Sequence, residues 1–135
     1  MNAIRILFKT GRFNLSRVGE HFINRCCFGE DLAVWLRQKA NRTTARLGSP
    51  YQEDCGWELP VRIRDQSYCL CMSGNADGST ANPDEGEWGI IVEMKRSISQ
   101  RIRDKGKLTA DDDMLNLVRK ILEGEPTISF VHLEE

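Results

Sequence analysis

Trp57-Glu58-Leu59-Pro60-Val61-Arg62-Ile63-Arg64-Asp65-Gln66-Ser67-Tyr68-Cys69-Leu70-Cys71-Met72-Ser73 (residues 57–73) is the stretch that decides the fold. Trp57, Leu59, Val61 and Ile63 alternate with Glu58, Pro60 and Arg62, and Tyr68, Leu70 and Met72 alternate with Cys69 and Cys71. Period two over runs of this length signals strands with one buried face. Asp65-Gln66 between them predicts a tight turn, so the two strands should pair antiparallel. Pro60 has no amide donor, which places its strand at a sheet edge or at a bulge.

The same alternation recurs on both sides. Ile4, Ile6 and Phe8 alternate with Arg5, Leu7 and Lys9 near the start. After a polar loop over 74–86, Trp88, Ile90, Val92 and Met94 point one way, and Ile91, Glu93 and Lys95 the other. A last strand is expected over 127–133. Two segments instead have helical spacing. Phe28, Leu32, Trp35, Leu36 and Ala40 share a face in a helix predicted from about Glu30 to Leu47, stopped by Gly48 and Pro50. Met114, Leu117, Val118, Ile121 and Leu122 do so in a second helix. Thr109 is its expected N-cap, with Asp111, Asp112 and Asp113 at the positive end of the dipole. The order β-α-β-β-β-α-β predicts a single α+β domain over 1–135: a two-layer sandwich, mostly antiparallel, with two helices on one face.

Composition bounds the function. The 135 residues are 40% hydrophobic and 29% charged, and no apolar run is long enough to span a bilayer. No cleavage pattern follows the N-terminal apolar stretch, so a soluble, cytoplasmic protein is expected. Five cysteines, Cys26, Cys27, Cys55, Cys69 and Cys71, form a poor disulfide framework and read as reduced thiols. Basic residues concentrate in 1–48 and acidic ones in 49–95, but the net charge of −1 gives no argument for nucleic acid.

Two polar strings flank the first helix: His21 to Asp31 and Tyr51 to Trp57. If the helix packs across the strand, their polar groups converge at one end of the domain, where loops commonly carry function. The candidate binding residues are His21, Asn24, Glu30, Asp31, Gln52, Glu53, Asp54 and Trp57. The competing reading makes Glu30 and Asp31 dipole partners and Gln52 to Asp54 a turn. Phe22-Ile23-Asn24, Cys27-Phe28-Gly29-Glu30-Asp31, Trp35-Leu36 and Gln52-Glu53-Asp54-x-Gly56-Trp57 resemble a family of small bacterial proteins of unknown function. Its members carry Gly-His-Phe-Ile-Asn-Pro, a Phe-Gly-x-Asp helix entry and Gln-Glu-Asp-x-Gly-Trp. This chain has Glu20 in place of that Gly and Arg25 in place of that Pro. The resemblance covers 21–57 and implies no activity.

Some residues are of types that carry particular chemistries. His21, Cys26, Cys27 and Glu53 are zinc-ligand types, but the two-residue cysteine spacing of structural zinc sites is missing. The loop from Asn75 to Ser79 lacks the calcium-loop glycine and glutamate positions. No metal or cofactor is expected. Cys27 ahead of a helix, near His21, suggests a nucleophile, against the simpler reading of a small packed residue. Glu93-Met94-Lys95, with Pro83-Asp84 before it, resembles the active-site string of restriction-endonuclease-like enzymes. The expected function is a small non-enzymatic binding or interaction module, its partner a second copy or another protein. A small-molecule ligand is compatible with it, a membrane or nucleic acid is not expected, and a homodimer could form at a free sheet edge. The alternative is a metal-dependent phosphodiesterase using Glu93 and Lys95.

Overall fold

The computed structural model describes residues 3–25, 27–54, 56–78, 80–95 and 108–134. Its elements are β1 (Ala3–Thr10), α1 (Glu30–Ala40), β2 (Arg46–Leu47), β3 (Tyr51–Glu53), β4 (Gly56–Ile63), β5 (Gln66–Ala76), β6 (Gly86–Lys95), α2 (Asp113–Glu123) and β7 (Ile128–Glu134). All strands join one antiparallel sheet in the order β2-β4-β5-β6-β1-β7, with β3 also on β4. The expected α+β class holds, with two short strands more than expected.

Alternation sets the core. Ile6, Leu59, Leu70, Met72, Ile90 and Val92 are at most 1% exposed, on the face covered by Leu32 and Leu36 of α1 and Met114, Leu115 and Leu122 of α2. Burying a side chain of this size contributes about 1.5–3 kcal/mol. Leu115 belongs to the buried stripe of α2, whereas Leu117 and Ile121 are only partly buried.

The first helix is shorter than expected, and a side chain explains it. Thr43 Oγ1 donates to the Ala40 carbonyl at 2.6 Å and accepts from Ala45 N at 3.1 Å. A threonine that bonds the backbone in this way offers the chain an alternative to the next helical turn. The chain leaves the helix at Asn41, and Arg46–Leu47 pairs with Val61–Arg62. The second helix is capped by Asp112, which accepts from Met114 N at 2.9 Å, and not by Thr109, whose hydroxyl is bonded to Asp111. The tight turn falls at Arg64-Asp65, with Ile63 opposite Gln66 and Arg64 at φ 52°. The basic connector, Arg96 to Lys107, lies outside the described residues.

Pro60 sits inside the sheet, but its polar backbone edge faces a gap. Its carbonyl accepts from Gly48 N at 2.8 Å, opposite the break between β2 and β3. N–H and C=O of one strand residue point the same way, so the missing donor costs no ladder bond with β5. Both sheet edges are blunted. One is split into β2 and β3, and the other, β7, carries a register shift against β1 and a positive φ of 57° at Phe130. Short and bulged edges discourage strand addition.

A clasped loop as the candidate functional site

The two polar strings fold against each other. Gln52, in β3, reaches across to the loop ahead of α1 and satisfies four backbone groups there. Its Oε1 accepts from Ile23 N and from Asn24 N (3.0 Å). Its Nε2 donates to Asn24 O (2.6 Å) and Cys27 O (3.2 Å). The indole of Trp57, 4% exposed, donates to Cys27 O at 3.0 Å. Asn24 Nδ2 to Asp54 Oδ1, at 3.4 Å, is a long sixth strut. The primary amide is the group that suits this position, since it supplies an acceptor and two donors in one plane.

Aromatic packing surrounds the polar struts. Phe22 meets Trp57 at 5.2 Å and Phe28 at 6.0 Å between ring centroids, both edge-on, and His21 meets Trp57 at 5.9 Å. Edge-to-face pairs add about 0.5–1.5 kcal/mol beyond their buried area. His21 Nε2 lies 2.7 and 2.8 Å from the two carboxylate oxygens of Glu30, tying the loop to the first turn of the helix.

Two glycines make the approach possible. Gly29 and Gly56 both have φ near +141°, and both press on the backbone of β5 at Met72. A Cβ on Gly56 would sit 2.1 Å from Met72 O, and one on Gly29 would sit 3.0 Å from the same oxygen. The helix entry and the start of β4 are thus wedged side by side on one strand. Both glycines stand inside the quoted strings. Their requirement for positive φ is the signal that reading the strings as polar clusters missed.

His21, Asn24, Glu30, Gln52, Asp54 and Trp57 therefore come together, and two candidates do not. Asp31 serves another loop, accepting from Asn14 N at 2.7 Å and Leu32 N at 3.0 Å. Partial burial of its carboxylate raises its pKa, against the lowering pull of those N–H groups. Glu53 is exposed, and its side chain makes no hydrogen bond or ion pair among the described residues. Cys27 donates to Asp54 O at 3.8 Å, while His21 Nε2 is engaged by Glu30.

Asp84 and Glu93, the carboxylates of the phosphodiesterase string, are held apart along β6. Asp84, just before the strand, accepts from Leu15 N (2.9 Å) and Ser16 Oγ (2.7 Å), which lower its pKa. Glu93, near the far end, pairs with Lys95 at 2.9 Å. That contact raises the lysine pKa and holds it as an ammonium. Among the described residues no group of three metal-ligand side chains is close enough to share an ion.

The sheet face away from the helices carries a network absent from the candidates. Tyr51 Oη donates to Glu58 Oε2 at 2.6 Å, and Cys69 Sγ donates to the same oxygen at 3.4 Å. Burial, with the Glu58 charge beside it, pushes the Cys69 thiol up to about 11. The thiolate is the nucleophile, so Cys69 should be slow to alkylate. Against a free cysteine near 8.5, we expect iodoacetamide labelling of a Cys69-only variant at pH 8 to be slowed at least about a hundredfold. Labelling at the rate of an unfolded control would contradict it. Among the described residues no helix is long and apolar enough to cross a membrane. Comparisons with known protein families, with curated proteins and with solved structures find no match for this chain.

Proposed function

We propose that the protein is a small non-enzymatic binding module that contacts another protein chain through the clasped loop, with Ile23 as its anchor. One observation carries this reading. Ile23 is 82% exposed, yet its own amide and the next are both held by Gln52. A single exposed aliphatic side chain is ordinary. One held out on a loop fixed at several backbone groups is preorganised, and preorganisation lowers the ordering cost of association. The blunted sheet edges favour contact through this loop over strand addition.

A second copy is the simplest partner. Sedimentation velocity over a concentration series should show self-association that Ile23→Asp weakens at least about tenfold, the size of an anchor worth about 1.4 kcal/mol. If the chain stays monomeric, a photo-crosslinker at position 23 should capture one defined partner, and the same group at exposed Asn116 should not. Self-association unchanged by Ile23→Asp, or a monomer with no selective cross-link, rejects the reading.

A further inference from the structure

We propose a second binding site, separate from the clasped loop: the Arg46–Arg62 pair at the β2–β4 end of the sheet takes a ligand carrying two phosphate groups. The register sets Arg46 directly opposite Arg62. Side chains so placed have Cβ atoms about 4.5–5.5 Å apart, and like charges there repel. Neither arginine has a carboxylate in ion-pair range among the described residues. Arg5, Lys9, Arg12, Arg64, Lys95 and Arg119 each have one. Arg42 and Lys120 also lack a carboxylate in range among the described residues, and what sets Arg46 and Arg62 apart from them is the register that holds two such guanidinium groups side by side.

The pair is also oriented. Arg62 Nε donates to Arg64 O at 3.0 Å, which fixes the inner end of its guanidinium and leaves both Nη groups for a ligand. A guanidinium fork matches two oxygens of a phosphate, and two adjacent forks suit a doubly charged group. Arg46, Arg62 and Arg64 line a cleft of about 590 Å³ with Thr44, and Asp65 is its one acid. A neighbouring hollow of about 330 Å³ shares Arg46 and Arg62 and extends to Ser67 and Lys95. Ser67 is opposite Arg62, and Lys95 is opposite Ser67. Lys95, at the end of this row, is already held by Glu93, so both phosphates of a compact diphosphate fall on the arginine pair, with the Ser67 hydroxyl on the next strand about 4.8 Å further along. Such a ligand could be a free phosphorylated small molecule or a stretch of single-stranded nucleic acid backbone.

Pyrophosphate is the probe, and a short oligodeoxythymidine is the second arm. At fixed ionic strength, pyrophosphate should raise the unfolding midpoint beyond the effect of sodium chloride. Calorimetric titration should give saturable binding that Arg46→Gln and Arg62→Gln each weaken about tenfold. Arg119→Gln, which removes a cation already paired with Glu123, should leave binding unchanged. Displacement of pyrophosphate by the oligonucleotide assigns the site to nucleic acid backbone, and binding of pyrophosphate alone assigns it to a small phosphorylated compound. A stabilisation equal to that of chloride, or equal losses in all three variants, overturns the proposal. Both glutamine variants remove like-charge repulsion, so each should remain folded.

Discussion

Replacing Gly56 with alanine is expected to cost about 3 kcal/mol of stability and about 10 °C in unfolding midpoint. Two effects act together. At φ 141° an L side chain is strained, a cost of about 1–3 kcal/mol. The new Cβ would also stand 2.1 Å from the Met72 carbonyl oxygen, a backbone atom in a central strand, and overpacking of this kind costs about 1–3 kcal/mol. A sheet fixed on both sides cannot yield as a flexible side chain would. Gly78 is the internal control: it has φ 75°, and a Cβ there meets nothing within 4 Å among the described residues. Gly78→Ala should show the conformational cost alone, about 1 kcal/mol. Equal losses at the two positions, read by chemical denaturation, would mean that the approach to β5 is not what makes Gly56 necessary.

The second large effect belongs to Gln52. Leucine at this position removes all four backbone partners of the amide while keeping much of its volume. Each bond contributes about 0.5–1.5 kcal/mol, and water reaches part of this loop, so a net loss of about 2 kcal/mol is expected. Gln52→Glu separates the two halves of the clasp. A carboxylate can still accept from Ile23 N and Asn24 N, but it faces the carbonyls of Asn24 and Cys27 with no proton to donate. The two facing carbonyls favour its neutral form against the opposite pull of the two N–H groups, and with the carbonyls dominant the introduced carboxyl is expected to have a raised pKa. The stability deficit should be full above that raised pKa and shrink as pH falls through it, because protonation returns a donor. A deficit in the glutamate variant that does not change with pH would show that the donor half is dispensable.

Much of the fold was legible because the strands state their period plainly. Ile4, Ile6 and Phe8, then Leu59 and Val61, then Ile90 and Val92, each mark one buried face with no competing pattern. What sequence hid were places where one side chain overrides local preference. Nothing in Asn41-Arg42-Thr43-Thr44 announces that Thr43 will end the helix by bonding the Ala40 carbonyl, nor that Arg46–Leu47 will then pair as a strand. The convergence of His21 and Glu30 with Gln52 and Trp57 followed from placing both strings around one helix. The way they converge did not, because Gln52 beside Glu53 and Asp54 reads locally as part of a polar turn. Asp31 and Glu53 stand beside clasp residues in the sequence, but the fold sends one to Asn14 and the other to solvent. The Arg46–Arg62 pair depends on a strand register that no local pattern encodes.

Hydrogen exchange at the amides of Ile23 and Asn24 tests the clasp most directly. Both should be protected at least about tenfold over an unstructured chain, and Gln52→Leu should abolish that protection while the β4–β5 ladder at Leu59 and Leu70 keeps its own. Amides at 23 and 24 that already exchange freely in the wild-type protein, or that stay protected without Gln52, would contradict a loop held in place for binding.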